Sequence, residues 1–193
     1  VWSVIPFAIV IFPLPFILLL ENNLMYSGLK HNFILQQGFN DPQPQVCPFQ
    51  YSALHFQPRL VGLLTLVGAM LQSPAVFLFL SAVLWWSALL PTWNPFDAIY
   101  NAILGARPGA VRLTPAPGPR RFAQGMAGTF ALAIGASLLL QWKMTAFVLE
   151  VLLLVAIAAL VFGGFCLGSF VFHLLRGQAE FARRTLPWVR PGT

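Results

Sequence analysis

The run LVGLLTLVGAMLQSPAVFLFLSAVLWWSALLPTWNPF, residues 60–96, lies between Arg59 and Asp97 and contains no charged side chain. A bilayer core about 30 Å thick takes roughly 20 apolar residues in helix, so this run is too long for one crossing and long enough for two short ones. Gln72-Ser73-Pro74 breaks it. The pattern predicts a helical hairpin, with a first arm from Pro58 to Gln72 and a second from Ala75 to Leu90 that Pro91 stops. The first arm is short for a bilayer, so it needs local thinning or extension back through Tyr51 to Gln57.

Both flanks read the same way. Val1 to Leu20 carries no charge and ends at Glu21, but Pro6, Pro13 and Pro15 interrupt it, which predicts a distorted membrane segment. It lacks the basic start and small-residue cleavage site of a secretory signal, and the chain opens on Val, so the native N-terminus is expected upstream. Phe122–Gln141, the turn Gln141-Trp142-Lys143 and Met144–Phe172 make a second hairpin. The expected fold is therefore an all-α membrane protein with about five membrane segments. Its parts are the Pro-interrupted segment 1–20, a cytoplasmic loop 21–55, the first hairpin 56–91, a Pro/Gly/Arg-rich cytoplasmic linker 92–121, the second hairpin 122–172 and a basic interfacial segment 173–193. Phe56-Gln57-Pro58-Arg59 opens one hairpin and Arg121-Phe122-Ala123-Gln124 the other. Two spans per unit bring both hairpins in from the same side, as a parallel repeat.

Composition agrees. Of 193 residues 58% are hydrophobic and 8% charged, whereas a soluble domain carries about 25% charged residues, so a water-facing surface cannot be assembled from this supply. The same figures exclude disorder, and two cysteines exclude a disulfide scaffold. The net charge of +6 is explained by topology: Lys30, Arg59, Arg107, Arg112, Arg120, Arg121, Arg176, Arg183, Arg184 and Arg190 fall on one side, and Lys143 alone on the other. The basic side is the cytoplasmic one. Spread over several membrane-flanking loops, these cations do not form a nucleic-acid face. Arg120, Arg121, Arg183, Arg184 and Trp188 are expected at the lipid interface among anionic headgroups, with Glu180 and Arg184 paired four residues apart.

Cys166 is the most chemically suggestive residue. Gly164-Phe165-Cys166-Leu167-Gly168-Ser169 gives Cys-x-x-Ser rather than the Cys-x-x-Cys in which a second thiol resolves the first. With Arg121-Phe122-Ala123-Gln124 and the Pro/Gly-rich basic linker, the region Phe56–His173 resembles a family of bacterial integral membrane proteins of unknown function, whose members have two apolar hairpins and a Phe-Cys-Leu-Gly-Cys ending. Here Ser169 stands at the second Cys. The resemblance implies a multi-pass protein of the bacterial inner membrane. If paired cysteines carry redox chemistry in that family, this chain needs Cys47 to supply the second thiol; the alternative is a buried Cys166 acting as a small hydrophobe.

Other candidates are less specific. Gly164 and Gly168 on one helix, and Ala127, Ala131 and Gly135 on another, form small-residue stripes that pack on each other or receive a helix from another subunit. Glu150 is the one acid inside a clear span, as an ion relay, an intersubunit partner or a neutral hydrogen-bonded side chain. His55 and His173 have no zinc spacing; they are candidate haem or chlorin contacts, or interface histidines bonded to lipid headgroups. No cofactor, metal site, Walker loop or catalytic triad is predicted. The leading expectation is a non-catalytic accessory subunit packed among other integral membrane subunits of a larger assembly, photosynthetic or respiratory. The alternatives are a membrane thiol protein using Cys166 and a small transporter using Glu150.

Overall fold

Inside a bilayer each backbone N–H and C=O must find its partner within its own segment, and helices satisfy that demand locally. The computed structural model describes residues 23–40, 47–105 and 111–189. The expected first membrane segment, Arg107 and Arg190 lie outside the described residues. Among those residues the regular elements are all helical, with no strand: α1 (Asn23–Gln36), α2 (Cys47–Leu54), α3 (Phe56–Leu71), α4 (Pro74–Leu89), α5 (Pro95–Ile103), α6 (Gly118–Leu139), α7 (Lys143–Gly163), α8 (Leu167–Leu175) and α9 (Ala179–Arg184).

The His55 N–H bonds the Tyr51 carbonyl at 3.2 Å and the His55 carbonyl accepts from Arg59 at 3.1 Å, so α2 and α3 form one apolar helix, Cys47–Leu71. The first arm thus gains its missing length by backward extension. Cys47–Leu71, α6 and α7, with 25, 22 and 21 residues, are long and apolar enough to cross a membrane. At about 1.5 Å per residue they reach roughly 38, 33 and 32 Å, while the 16 residues of α4 reach about 24 Å. The chain is a multi-pass membrane protein.

Both hairpins reverse at a glutamine. Gln72 and Gln141 have φ of 46° and 59°, and each amide N–H bonds the carbonyl three residues back, Ala69 or Leu138. Their side-chain amides return to the same two carbonyls, at 2.7 and 3.2 Å. Left-handed backbone costs an L-residue about 1 kcal/mol, and the carbonyls left open at a helix end gain donors in exchange.

The hairpins are interleaved, with α6 packed on α4 and α7 on α3. A Cβ on Gly128 would lie 2.9 Å from Trp85, one on Gly135 3.0 Å from Leu78, and one on Gly62 2.9 Å from Ile157. Ala131 is fully buried between the first two. The Ala127–Ala131–Gly135 stripe therefore receives α4, not the Gly164–Gly168 pair as the sequence suggested. Those two glycines share no helix face, because α7 ends at Gly163, Gly164 takes φ of 63° and α8 begins at Leu167. Gly164 abuts Leu29 of α1, and Gly168 abuts Ala123 in α6.

The arm expected to run unbroken from Met144 to Phe172 is thus divided. The expected loop 21–55 instead carries two helices: Phe33, Ile34, Tyr51, Ala53 and Leu54 bury an apolar face between α1 and α2. Asn32 Nδ2 donates to the Leu186 and Val189 carbonyls at 2.9 and 2.8 Å, so α1 holds the C-terminal segment as well.

Gly168 sets the separation of α6 and α8, since a Cβ there would sit 2.6 Å from Ala123 Cα. Gly168→Ala is expected to destabilise the detergent-solubilised chain by about 1–3 kcal/mol in SDS titration. Gly163→Ala, whose Cβ meets nothing within 4 Å, is expected to be neutral or slightly stabilising.

Candidate functional site

Pro95 opens α5 and Asn94 caps it, its Oδ1 accepting the Phe96 N–H at 3.0 Å. The cap residue also donates from Nδ2 to Asp97 Oδ2 at 2.9 Å, which turns that carboxylate toward α6. There Arg120 Nη2 donates to Asp97 Oδ1 at 2.9 Å and to Gln57 Oε1 at 3.0 Å, and Gln124 Nε2 donates to the same Gln57 oxygen at 2.8 Å. Three helices, α3, α5 with its cap, and α6, meet in one buried network. Burial pushes the Asp97 carboxyl up from its ordinary range, opposed by the Arg120 guanidinium and the Asn94 amide.

Arg120 corrects an expectation. Placed by sequence at the lipid interface, it is only 4% exposed and ion-paired inside the protein, because α5 carries Asp97 beneath it. Its neighbour Arg121, half-buried, donates from Nε to the Ala88 carbonyl at 2.7 Å near the end of α4. Arg183, Arg184 and Trp188 are exposed, and Arg184 pairs with Glu180.

A second network lies beside the first. Cys166 has extended backbone at the N-cap of α8 and donates its N–H to Gln36 Oε1 at 2.9 Å. The Ser169 hydroxyl donates to Cys166 Sγ at 3.3 Å, and His173 Nε2 lies 3.1 Å from the Gln36 carbonyl. Positions 166, 169 and 173 fall on one face of α8. The backbone convergence is close, with a Cβ on Gly38 only 2.8 Å from Pro119 and one on Gly118 3.2 Å from Phe172. Three buried atoms at this centre lack hydrogen-bond partners: Arg120 Nη1, Gln36 Nε2 and Gln124 Oε1. Neither cysteine is in a disulfide, and Cys47 packs in the α1–α2 cluster.

The histidines behave differently from expectation. His55 is fully buried, its Nδ1 2.9 Å from the Tyr51 carbonyl and its Nε2 3.3 Å from the Leu160 carbonyl. His173 Nδ1 is 2.8 Å from Gln178 Oε1, opposite its contact with Gln36. Both rings lie among oxygen atoms of the protein itself, and a neutral imidazole donates to one of the two oxygens it faces. No group of three His, Cys, Asp or Glu able to hold a metal ion occurs among the described residues. Glu150 finds its partner in the first hairpin turn: Gln72 Nε2 lies 3.2 and 3.3 Å from its two oxygens. Val61, Leu80, Leu84, Phe96 and Ala131 form an apolar cluster among α3, α4, α5 and α6.

Residues 51–177, about two-thirds of the chain, match the family described as Domain of unknown function (DUF4395). The chain belongs to this family. No curated protein and no solved structure matches it. The DUF4395 segment contains Gln57, Asn94, Asp97, Arg120, Gln124, Cys166, Ser169 and His173, while Gln36 and Gln178 lie outside it.

Sequence reasoning singled out Cys166, His173 and Arg120 but missed that they belong together, and assigned no role to Gln36, Gln57, Asp97 or Gln124. One signal was present: Asp97 is the sole acid between Asp41 and Glu150, at the end of an uncharged run, and such an acid needs a cation. Asp97→Leu is expected to cost about 3–5 kcal/mol in SDS or urea unfolding, because it strands the buried guanidinium. The double replacement Asp97→Leu with Arg120→Met removes both charges and is expected to cost less than Asp97→Leu alone.

Proposed function

We propose that this DUF4395 protein is a membrane thiol protein of the bacterial inner membrane, in which a multi-pass helical body holds Cys166 at the cytoplasmic boundary for redox exchange. The observation that carries the reading is the setting of that sulfur, at the N-cap of α8, with the Ser169 hydroxyl bonded to it and the residue's own N–H held by Gln36.

The orientation follows from the basic residues, with both glutamine turns opposite the cytoplasm. Five segments and a parallel repeat of the two hairpins complete the proposed topology. The matching turns at Gln72 and Gln141, and the nine-residue helices α5 and α8 that follow each hairpin, support the repeat.

A second reading, a non-catalytic subunit among other integral membrane chains, has one observation in its favour. α7 exposes Phe147, Val148, Val151, Leu152, Val155 and Phe162 along its length, and the short α4 fits better against protein than against a full bilayer. Its other support is weaker than the sequence implied, since the small-residue stripes are filled from within the chain. Transport through Glu150 has no such support.

With Cys47→Ala as background, N-ethylmaleimide is expected to modify Cys166 in folded membranes; modification only after denaturation removes the thiol reading. Gentle solubilisation with mass spectrometry of co-purifying chains tests the subunit reading, for which a stable lone monomer is the adverse result. Trypsin is expected to cleave at Arg183 and Arg184 in inverted vesicles and to spare them in right-side-out spheroplasts.

A further inference from the structure

We infer that the C-terminal segment from Arg176 to Trp188 is a seat for anionic phospholipid headgroups at the leaflet where α7 ends, with Arg176 and Arg183 selecting anionic over zwitterionic lipid. Neither Cys166 nor its chemistry is involved.

The level of the segment comes first. α7 ends at Gly163, and the Trp188 ring lies 6.2 Å from that of Phe165, two residues beyond that end. The chain therefore leaves its last spanning helix, runs through α8 and α9, and returns to the level at which it left. α8 keeps that level too, since Gly168 is seated on Ala123 in the first two turns of α6. A segment folded back in this way lies in the headgroup layer.

Its two sides differ. Inward, Ala182 and Thr185 are buried, Asn32 Nδ2 holds the Leu186 and Val189 carbonyls, and His173 Nδ1 lies 2.8 Å from Gln178 Oε1. These contacts fix which side turns outward. There Leu175, Phe181 and Trp188, 74, 38 and 72% exposed, are interleaved with the exposed Arg176, Arg183 and Arg184. Leucine and aromatic side chains beside arginine suit the boundary between acyl chains and phosphate, where the rings enter the first and the guanidiniums bond the second.

Charge decides which lipid. Glu180 pairs with Arg184 and offsets its charge. Arg176 lies over the Phe172 ring, its Cζ 5.1 Å from the centroid. Among the described residues neither Arg176 nor Arg183 has an acid within ion-pair distance. An anionic headgroup attracts each uncompensated arginine, whereas a zwitterionic one largely cancels that attraction with its own ammonium.

The test is backbone amide exchange of the full chain in nanodiscs, read by mass spectrometry across residues 176–189. Replacing phosphatidylcholine by phosphatidylglycerol is expected to slow exchange there at least about fivefold, and high salt to remove the difference. Arg176→Gln with Arg183→Gln is expected to abolish the phosphatidylglycerol effect, with exchange in phosphatidylcholine unchanged. Arg184→Gln is expected to lower the effect only slightly, and Glu180→Gln to enlarge it by freeing Arg184. Equal exchange of the unaltered chain in the two lipids overturns the seat, as does an effect that survives the double replacement. Should the double variant lose its fold, the comparison of Glu180→Gln with the unaltered chain decides, and no enlargement overturns the assignment. In phosphatidylcholine nanodiscs, slowing by inorganic phosphate equal to that by phosphatidylglycerol marks a free-anion site, and equal slowing by polyglutamate an acidic protein partner; either overturns the lipid assignment.

Discussion

Two opposite charges held away from water set the terms for the rest of this molecule. Taking a carboxylate and a guanidinium out of solvent costs several kcal/mol for each ion even after relaxation, and their attraction offsets that cost only when the remaining polar atoms are also bonded. The Arg120–Asp97 pair meets the condition in part. Both Asp97 oxygens are engaged, by Arg120 and Asn94, and Gln57 accepts from Arg120 and Gln124 together. Each partner comes from a different part of the chain, so the pair forms only when both hairpins and the segment between them are in register. In a membrane, where lipid tails are as apolar as leucine, apolar contact alone gives weak preference for one helix arrangement over another. A buried ion pair penalises every arrangement that leaves one charge alone.

The sequence revealed the helices better than the places where they stop. Charge-free runs marked both hairpins, and the polar triplets at Gln72 and Gln141 marked both turns, because charge and hydropathy respond directly to the bilayer. The Gly164–Cys166 break was hidden because glycine in an apolar run reads equally as a packing position, and only the left-handed φ of Gly164 distinguishes the two. Arg120 and Arg121 are identical neighbours about 100° apart around a helix, and nothing local says which one faces inward. That choice depends on Asp97, which is distant in sequence and brought near by α5. Gln36 was invisible for a similar reason: it lies in a stretch whose polar composition masks the buried face formed by Phe33 and Ile34.

The polar groups divide by position along the bilayer. At the turn end Gln72 and Glu150 join the first hairpin to α7, and at the opposite end Gln57 and Gln124 bond across the two hairpin openings. Val61, Leu80, Leu84, Phe96 and Ala131 fill the space between. Crosslinks at both ends brace the interleaved hairpins against sliding.

The two segments that follow the hairpins are built alike and hold different chemistry. After the first, Asn94 at the N-cap reaches Asp97 three residues on; after the second, Cys166 at the N-cap is reached by Ser169, again three residues on. Each N-cap residue introduces a nine-residue helix. In one the pair of side chains ends in a carboxylate that neutralises Arg120; in the other it ends in a sulfur. Arg120 bonds to the first pair through Asp97. With Asp97 in place one face of the guanidinium is matched, and Nη1 is left over. The acid makes burial of an arginine tolerable and leaves one of that arginine's donors without a partner. Without the acid the cation would be drawn toward water and headgroups, as its sequence alone suggests.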